Sequence, residues 1–370
     1  MFIEALLENN PELVDAAYSF YKKGDIGPNT YCVDMDMVKK NASLLVQAGK
    51  RYGIKLYFMS KQFGRNPVIS RSVVESGIES AVAVDMDEAR VLYKNGIKIG
   101  HLGHLVQIAH RDINEALDMR PEVMTCFSTE KAAEINEAAH EKGMVQDILL
   151  RAIGNKGYIY PGQEGGIKLD SLGQAVEKIK EMSNVRITGI TSFPCFLYRR
   201  EGNRIEPTEN MNALRKAADV LNGMGIEVKQ VNGRRATCVS SIPLLKKMGV
   251  THGEPGHALT GTTPLHAQGR QPEGQAMLYI TEVSHRMDDQ AYVFGGGFYP
   301  RSHMKYAYSP RLKARFDAEQ PPADSIDYYG SIFDRNECLK TGDVLIYAFR
   351  TQIFFTRARV AVISGIKKGR

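Results

Sequence analysis

The stretch KLYFMSKQFGRNPVISRSVVESGIESAVAV, residues 55–84, changes from one kind of secondary structure to another and back. It begins with an apolar, aromatic-rich run over 55–60, which is typical of a buried strand. After a break at Gly64 and Pro67, VISRSVVESG has the spacing of an amphipathic helix and ends in glycine. The run SAVAV over 80–84 predicts a second strand. A strand, a helix and a strand in this order form the repeating unit of α/β folds with parallel sheets.

The same alternation continues along the chain to about residue 254. Six further strands are expected, over residues 98–102, 122–126, 147–153, 186–191, 226–231 and 250–254. A helical pattern lies between neighbouring strands, and another helix is expected near residues 35–52. Eight strands separated by seven helices is the count of a (β/α)8 barrel. The predicted fold class is therefore α/β, with a (β/α)8 TIM barrel.

After about residue 265 the pattern changes to strands without helices. AMLYITEVSHRM, QAYVFGGG, DVLIYAF and IFFTRARVAVI are predicted strands, and a Pro- and Tyr-rich stretch over 299–330 interrupts them. We expect a barrel over residues 30–265 and a C-terminal all-β domain over 266–370. Residues 1–29, which begin with the pattern of an amphipathic helix, are expected to contribute to the second domain.

Composition and charge exclude several classes of protein. The formal charge of +6 is scattered, and no nucleic-acid-binding motif is present. No run approaches the roughly 18 apolar residues of a membrane-spanning helix, and the N-terminus does not resemble a signal peptide. Five cysteines lie far apart with no CxxC, which favours reduced thiols. HLGH over 101–104 has no third metal ligand at a fitting spacing. We expect a cytoplasmic protein with no nucleic-acid, membrane or metal partner.

Lys61 stands directly after the first barrel strand, where most lysines would only mark a solvated strand end. In TIM barrels, however, catalytic groups lie at the C-terminal ends of the strands, and phosphates commonly bind after strands seven and eight. Barrel closure makes strands eight and one neighbours, so Lys61 and Glu254 are expected at the same mouth. Glycines and anion-binding side chains follow strands seven and eight, at Gly233, Arg234, Arg235, Thr237 and Gly256. Each alone fits a turn or a surface, but together they suggest a cofactor with a phosphate and a carbonyl group.

YCVDMDMVKKNASLLVQAG, followed by KLYFMSKQFG, resembles the opening of the fold-type III pyridoxal-phosphate enzymes, the alanine racemase-like barrels. The resemblance spans residues 30–265 and extends loosely over the β domain. Within that superfamily the chain resembles the YhfX-type proteins, which are described as amino-acid racemases. The resemblance implies that pyridoxal 5'-phosphate is the cofactor and that Lys61 carries it as an internal aldimine. It also implies that residues 233–237, including Ala236, hold the phosphate together with Gly256 and His257.

Some positions depart from the family pattern in ways that bear on the reaction. GEPGHALTG is similar to the EPGR signature of amino-acid decarboxylases, whose glutamate contacts the pyridine nitrogen, whereas alanine racemases have an arginine there. By this resemblance Glu254 favours a protonated ring that withdraws electrons more strongly. A salt-bridged glutamate at the barrel rim is the alternative. Pro194 stands where relatives often have a histidine that packs on the cofactor ring.

The second catalytic base of the racemases is also altered. In VFGGGFYPRSHMKY the position of the racemase tyrosine is glycine, so Tyr299 is either its substitute or an ordinary core residue. Another segment resembles the decarboxylase stretch that carries a cysteine–aspartate pair. Here Phe333 replaces the cysteine, and Asp334 either reaches a substrate amine or is a solvated loop residue.

The resemblance implies an enzyme that acts on a free amino acid. A racemase or epimerase is the leading interpretation, in which the freed amine of Lys61 abstracts or returns the α-proton. Its predicted catalytic residues are Lys61, Glu254, Tyr299 and Asp334. A decarboxylase or lyase, suggested by EPGH, and a non-catalytic pyridoxal-phosphate-binding regulatory protein remain open, although small binding proteins of that type lack a β domain. The family also implies a homodimer with a shared active site, for which the aromatic segment between Phe298 and Tyr329 would suit an interface.

Overall fold

The computed structural model describes residues 1–322 and 324–368. By their contacts these residues form two compact units. The barrel unit contains Ser43–Ser60 and Val73–Pro255. The sheet unit contains Met1–Ala42, Lys61–Ser72 and the chain from Gly256 onward.

The described residues form nineteen strands. In chain order the strands are β1 (Thr30–Asp34), β2 (Lys55–Met59), β3 (Ser80–Val82), β4 (Lys98–Leu102), β5 (Val123–Cys126), β6 (Gln146–Ile153), β7 (Ile167–Lys168), β8 (Val185–Ser192), β9 (Phe196–Arg199), β10 (Arg204–Pro207), β11 (Gln230–Gly233), β12 (His252–Gly253), β13 (Met277–Met287), β14 (Gln290–Phe294), β15 (Tyr306–Ser309), β16 (Ala314–Asp317), β17 (Tyr329–Phe333), β18 (Val344–Tyr347) and β19 (Arg359–Ile363).

The same residues form eleven α-helices and five short 3-10 helices. The α-helices are α1 (Phe2–Asn9), α2 (Pro11–Lys23), α3 (Met35–Tyr52), α4 (Pro67–Glu75), α5 (Met86–Lys94), α6 (Ile113–Asp118), α7 (Thr129–Glu141), α8 (Leu169–Lys180), α9 (Glu209–Gly223), α10 (Ile242–Lys247) and α11 (His257–Thr260). The 3-10 helices are Lys61–Phe63, His110–Asp112, Pro264–Ala267, Ile353–Phe355 and Ile366–Lys368.

The barrel unit is built around eight parallel strands. They follow one another around the cylinder in chain order, as β2, β3, β4, β5, β6, β8, β11 and β12. The last strand returns to the first, because His252 pairs with Lys55 and Gly253 with Leu56. Between β11 and β12, the amide of Thr251 donates to the carbonyl of Val231 at 3.0 Å. The barrel is therefore nearly closed, and the C-terminal ends of its strands share one mouth.

Helix caps in the sequence fix where the barrel helices begin. The side chains of Asp85, Ser128 and Thr208 each accept a hydrogen bond from a backbone amide in the first turn of α5, α7 and α9, respectively. The apolar faces of these helices are buried, and each helix packs against strands of the barrel. Short loops that end in capped helices hold the strand ends in place, and functional side chains stand at those ends.

The sheet unit contains a mixed sheet in the order β16, β15, β18, β13, β1 and β19, with β14 and β17 continuing from β13. Strand β1 lies in its interior, antiparallel to β13 and parallel to β19. Helices α1 and α2 pack on this sheet through a buried apolar cluster, whose members include Ile3, Leu6, Leu13, Cys32, Leu278 and Ile346. The N-terminal helices thus supply part of the core of the C-terminal sheet.

The predicted fold class is confirmed, since an eight-stranded parallel barrel is combined with a C-terminal all-β domain. The sequence prediction missed β1, whose five residues are all buried and so show no alternation between polar and apolar side chains. It also missed β15, β16 and β17 in the Pro- and Tyr-rich stretch. The seventh barrel strand lies at Gln230–Gly233 instead of 226–231, and the single N-terminal helix is two helices that meet at Asn10 and Pro11.

The two compact units do not coincide with the predicted domains. Residues 30–42 and 61–72 belong to the sheet unit. The limits 30–265 and 266–370 stay a prediction about which parts fold independently, and residues 369 and 370 lie outside the described residues.

Candidate active site

A buried polar cluster lies inside the barrel unit, at the ends of four strands. Glu254 follows β12, Arg234 follows β11, Asn232 lies within β11, and His101 lies on β4. Oε1 of Glu254 accepts hydrogen bonds from Nη2 of Arg234 and from Nδ2 of Asn232, the latter at 2.8 Å. Nδ1 of His101 lies 3.1 Å from the same oxygen, and its Nε2 lies 2.5 Å from the hydroxyl of Thr125 on β5. The contacts with β4 and β11 converge on Oε1, and Oε2 takes part in none of them.

The charges of this cluster are fixed by burial and by the ion pair. Burial alone would raise the pKa of Glu254, but Arg234 and the hydrogen bonds lower it to about 2. Burial lowers the pKa of the Arg234 guanidinium to about 9. Both groups are therefore charged at neutral pH. Burial, reinforced by Arg234, lowers the pKa of His101 to about 4, so its imidazole is neutral.

Arg234 is almost completely buried, and its charge is only partly satisfied. Its Nη2 donates to Glu254 and lies 3.0 Å from Nδ1 of His101. Its Nε and Nη1 have no hydrogen-bond partner among the described residues. The sequence suggested Arg234 as a phosphate ligand, whereas these contacts hold its guanidinium on Glu254.

The segment after Arg234 has an unusual backbone. Arg235 and Ala236 both have positive φ, at 88° and 64°. Non-glycine residues in this region cost on the order of 1 kcal/mol or more, and such strain is concentrated at functional sites. The hydroxyl of Thr237 accepts the backbone amide of Glu254 at 3.0 Å, and the Arg235 guanidinium lies 4.9 Å from the centre of the Tyr160 ring. The predicted phosphate-binding segment is thus tied directly to the position of Glu254.

Glycine at position 233 has a packing reason. A Cβ there would lie 2.7 Å from Val250 and within 3.3 Å of Met211 and Phe196. A side chain at Gly233 would therefore push β11 away from its neighbours.

Lys61, Gly256 and His257 belong to the sheet unit. Lys61 is half-buried and begins the 3-10 helix Lys61–Phe63, two residues after the end of β2. A Cβ on Gly256 would lie within 3 Å of the Gln62 side chain, so this turn packs closely on the start of α11. Nδ1 of His257 lies 2.9 Å from the hydroxyl of Thr262. Lys61 and the predicted phosphate-binding pair, Gly256 and His257, are thus held in neighbouring turns.

The backbone also links the ends of β2 and β12. The amide of Met59 donates to the carbonyl of Pro255 at 2.9 Å. Lys61 lies two residues beyond Met59, and Glu254 lies one residue before Pro255.

Tyr299 and Asp334 lie in the sheet unit and have surroundings of their own. The buried ring of Tyr299 stacks on Phe355, with centroids 6.0 Å apart. The buried carboxylate of Asp334 accepts hydrogen bonds from the amides of Cys338 and Leu339 and pairs with Arg286. These contacts give Asp334 a structural role within its own chain; a contribution to a second subunit's active site stays a prediction.

The sequence prediction did not assign a role to His101, Asn232 or Thr125. Each is a polar residue in a strand that is mostly buried. A polar side chain within such a strand is the feature that could have indicated a functional residue. His101 and the buried His104 have ring centroids 5.4 Å apart, and His104 lies 6.0 Å from Phe193, the residue before Pro194. The ring of His104 therefore lies between His101 and the residue that precedes Pro194.

Comparison with known families identifies the barrel. Residues 33–264 match the model of the alanine racemase N-terminal domain. This chain belongs to the alanine racemase-like family. Residues 278–370 match the YhfX-like C-terminal domain. The chain is also 39% identical over 373 residues to the uncharacterized protein YhfX of Escherichia coli strain K12. The aligned region covers all of this chain and 96% of that protein. These matches confirm the resemblance to the alanine racemase-like barrels and to the YhfX-type proteins that the sequence indicated.

Solved structures of other proteins share the fold at low sequence identity. D-threonine aldolase from Filomicrobium marinum is 17% identical, with a TM-score of 0.67 over 89% of this chain and 88% of that chain. D-threo-3-hydroxyaspartate dehydratase from Delftia sp. HT23 is 13% identical, with a TM-score of 0.63 over 89% and 91%. An alanine racemase from Clostridium difficile 630, in complex with cycloserine, is 15% identical, with a TM-score of 0.60 over 87% and 86%. A racemase, an aldolase and a dehydratase thus share one architecture, so the fold alone does not select the reaction.

Within residues 1–322 and 324–368 no helix is long and apolar enough to cross a membrane. In the same ranges no group of three or more His, Cys, Asp or Glu side chains is arranged to hold a metal ion.

Proposed function

We propose that this protein is a pyridoxal-phosphate-dependent enzyme that racemises or epimerises a free amino acid. The observation that carries the proposal is the buried, ionised carboxylate of Glu254 at the barrel mouth. Its Oε1 is held by Arg234 and Asn232, and its Oε2 takes part in none of those contacts. A fixed carboxylate with one available oxygen suits a protonated ring nitrogen, because an N–H donor and a charge are satisfied together.

The other residues of the site also fit this cofactor. Lys61 is the lysine that follows the first barrel strand, and β2 pairs with β12, which Glu254 follows. We propose that Lys61 binds the cofactor's carbonyl carbon covalently and that Glu254 accepts its ring N–H. Arg234 forms an ion pair with Glu254. We propose that the cofactor's phosphate is bound by the other residues of this region: Gly233, Arg235, Ala236, Thr237, Gly256 and His257.

Pyridoxal phosphate, when bound, withdraws electrons from the α-carbon of an attached amino acid and so acidifies its α-proton. The chain's own residues then decide what happens to that proton. Arg234 keeps Glu254 ionised, and Thr237 fixes its backbone. The amine of Lys61, once released, accepts the proton from one face of the α-carbon. Return of a proton to the opposite face inverts the configuration, and Tyr299 is the proposed donor on that face.

The shared active site of a homodimer remains part of this proposal. Several large apolar side chains of the sheet unit are exposed, including Tyr328, Tyr329, Phe333 and Phe355, and aromatic residues are enriched at interface cores. The sequence suggested six aromatic residues for this interface: Phe298, Tyr299, Tyr306, Tyr308, Tyr328 and Tyr329. Of these, Tyr328 and Tyr329 are exposed, and Tyr299 is buried. Mixing inactive Lys61→Ala with inactive Tyr299→Phe should restore part of the activity if one subunit supplies each residue. A monomer by light scattering, or no rescue after proven subunit exchange, would contradict the shared site.

A decarboxylase or lyase is the second candidate, because Glu254 shares its position and type with the decarboxylase motif. A racemase transfers solvent deuterium to the α-carbon, inverts chirality and conserves mass. A decarboxylase releases CO2, and an aldolase or dehydratase releases an aldehyde or a keto acid. Purified protein incubated with a panel of D- and L-amino acids in deuterated water separates these outcomes. If the protein shows no absorption of a lysine-bound cofactor after purification with pyridoxal phosphate, the whole proposal fails; if it binds the cofactor and turns over no amino acid, it is a binding protein.

A further inference from the structure

The loops that follow β4, β6 and β8 meet at the barrel mouth and form a small group of polar and aromatic side chains. Its members, which we call the mouth subsite, are His104, Tyr160, Gln163 and Phe193. The rings of His104 and Phe193 have centroids 6.0 Å apart, and those of Phe193 and Tyr160 are 5.7 Å apart. The backbone amide of Gln163 donates to the carbonyl of Tyr160 at 2.9 Å, and its Nε2 lies 3.4 Å from the carbonyl oxygen of Leu105, the residue after His104. The four residues are therefore linked in a closed ring of contacts.

Two buried polar atoms of the mouth subsite lack a hydrogen-bond partner. His104 is only 2% exposed, and its Nδ1 has no partner among the described residues. Oε1 of Gln163 is also buried and has no partner in the same part of the chain. The Nε2 of this amide lies beside two carbonyl oxygens, those of Leu105 and Gly162, so turning the amide over would bring its oxygen against them. Buried polar atoms without partners are unfavourable, so the subsite has the capacity to bind a polar group.

Hydrogen bonds from neighbouring side chains hold the loops of the subsite in place. Nε2 of Gln107 donates to the carbonyl of Gly103 at 2.6 Å, which fixes the loop after β4. Nδ2 of Asn210 on α9 donates to the carbonyls of Tyr158 and Pro194, at 2.7 and 2.9 Å. One side chain thereby joins the loops after β6 and β8. The two atoms without partners are thus held by a preorganised frame, which lowers the cost of binding a ligand.

The mouth subsite lies next to residues that are proposed to bind the cofactor. The ring centroid of His104 is 5.4 Å from that of His101, whose Nδ1 is 3.1 Å from Oε1 of Glu254. On another side, the guanidinium of Arg235 lies 4.9 Å from the centre of the Tyr160 ring. Glu254 is proposed for the ring nitrogen of the cofactor and Arg235 for its phosphate. The subsite therefore adjoins residues proposed for two ends of the cofactor and belongs to the same mouth.

The chemistry of these atoms favours an uncharged group that carries its own N–H or O–H. Oε1 of Gln163 only accepts a hydrogen bond, whereas Nδ1 of a neutral imidazole such as that of His104 donates or accepts according to its tautomer. No carboxylate contacts either atom within the described residues, so a cationic group would find no counter-charge there. A carboxylate would meet the acceptor oxygen of Gln163, and an apolar group would leave both atoms without a partner. A hydroxyl or a carboxamide satisfies both.

We propose that the mouth subsite binds the side chain of the amino-acid substrate and selects side chains that end in a hydroxyl or a carboxamide. The assignment rests on the proposed function, since it names the substrate class of that same site. The polar end of the side chain bonds to His104 and Gln163, and the rings of Phe193 and Tyr160 cover its apolar part. A site that hydrogen-bonds a substrate group rejects an analogue without that group, because its own buried polar atoms are then left unpaired.

The test compares amino acids of similar shape that differ in polarity: threonine with valine, and asparagine with leucine, each as the racemate. Binding is measured as the amino-acid concentration that gives half of the change in cofactor absorption. The wild type should bind the polar member of each pair about 10- to 100-fold more tightly. His104→Phe, which keeps an aromatic ring, and Gln163→Met, which keeps the chain length, should each lower this ratio about 10-fold. His110→Phe, at an exposed position beyond the same strand, is the matched control and should keep the wild-type ratio.

A second measurement does not depend on the cofactor. Asparagine at high concentration should raise the Tm of wild-type protein stripped of cofactor more than leucine does, and the two should act alike on His104→Phe. Ligand-free His104→Phe should have a Tm no lower than that of the wild type, because Nδ1 has no hydrogen bond to lose. His101→Phe should lower the Tm, since both ring nitrogens of His101 have partners. If the wild type binds no pyridoxal phosphate, the proposed function fails, while asparagine and leucine still decide the role of the subsite.

Four results would overturn the assignment. One is a wild-type protein that binds valine and leucine as tightly as threonine and asparagine. Another is an unchanged ratio in folded His104→Phe and Gln163→Met. The third is loss of the cofactor absorption in His104→Phe, which would mean that His104 holds the cofactor. The fourth is a Tm of ligand-free His104→Phe far below that of the wild type, which would make the imidazole a structural group.

Discussion

The barrel unit and the sheet unit each bury a carboxylate against an arginine, yet the two pairs are built differently. In the sheet unit, both oxygens of Asp334 are used: Arg286 and the amides of Cys338 and Leu339 surround it, so it closes a turn of a few residues. In the barrel unit, the contacts of Glu254 with β4 and β11 converge on Oε1, and Arg234 has two nitrogens without a hydrogen-bond partner among the described residues.

This difference separates a structural pair from a candidate site. A buried charge that is fully hydrogen-bonded by neighbouring backbone stabilises a local turn and has no capacity left for a ligand. A buried charge can also be held by strands that are far apart in sequence, with some of its polar atoms left without hydrogen-bond partners. Such a charge lowers the free energy of unfolding unless a ligand binds to those atoms. The comparison predicts that changes in the barrel pair affect chemistry and that changes in the sheet pair affect folding.

The largest expected effect is that of Lys61→Ala. Without this amine the protein should lose covalent attachment of the cofactor. Because the proposed base is also gone, the rate of α-proton exchange should fall by about a thousand-fold or more. Borohydride reduction followed by peptide mapping measures the attachment. Lys98→Ala, at the opposite end of a barrel strand, is the control and should behave as the wild type. A borohydride label on a different lysine would sink the assignment.

Glu254→Gln should have the next largest effect. Loss of the carboxylate would make the protonated form of the cofactor's ring nitrogen less stable, so the rate of α-proton exchange should fall about 100-fold. The unfolding free energy should also fall by about 3 kcal/mol, because Arg234 would remain buried without a counter-charge. Urea unfolding and deuterium exchange measure the two quantities.

The double variant Glu254→Gln with Arg234→Met sharpens this prediction. It removes both charges, so it should recover most of the stability and none of the exchange rate. An exchange rate within about threefold of the wild type in Glu254→Gln would mean that Glu254 does not act on the cofactor.

Asp334→Asn should show the opposite pattern. Loss of the charge that Arg286 and two amides share should lower the unfolding free energy by about 2–4 kcal/mol. The exchange rate per folded molecule should stay at the wild-type value, if Asp334 is purely structural. Asp289→Asn, at an exposed and weakly paired position, should change stability by less than about 0.5 kcal/mol. Slower exchange in Asp334→Asn, with unchanged stability, would instead support a role in a second subunit's active site.

The smallest effect concerns acid. The pKa of His101 is lowered to about 4 in the folded protein, mainly by burial, and lies near 6.5 in an unfolded chain. Between these values the unfolded chain binds a proton that the folded protein does not, so stability falls as the pH drops from about 6.5 to about 4. The contribution is on the order of 3 kcal/mol or less. Glu254, whose pKa is lowered to about 2, loses its contribution only below about pH 4.5.

Urea unfolding at several pH values measures this dependence. His252 and His266 also have pKa values lowered to about 4 by burial, and desolvation lowers the pKa of His303 as well, so the total effect has four sources. His101→Asn should therefore reduce the slope between pH 6.5 and 4 by about one quarter to one third, whereas His285→Asn, at an exposed position, should not change it. An unaltered slope in His101→Asn would show that His101 is already charged in the folded protein.

The sequence by itself determined the barrel, because strand and helix periods depend on neighbours that are close along the chain. The strand Lys98–Leu102 and the helix Met35–Tyr52 lie where the pattern predicted them. The resemblance of KLYFMSKQFG and GEPGHALTG to known motifs singled out Lys61 and Glu254 for the same reason. These signals are local and survive in the sequence without any knowledge of packing.

Only the tertiary structure decided which charges meet. His101 and Glu254 are 153 residues apart, and nothing local in KIGHL or GEPGH announces their contact. Arg234, which the sequence suggested as a phosphate ligand, forms an ion pair with Glu254, while Arg151, inside a predicted strand, is a buried cation without a carboxylate partner among the described residues. The position of β1 inside the C-terminal sheet was equally hidden, because a fully buried strand carries no alternation. Pairing across a barrel or a sheet depends on closure and register, and these are properties of the whole fold.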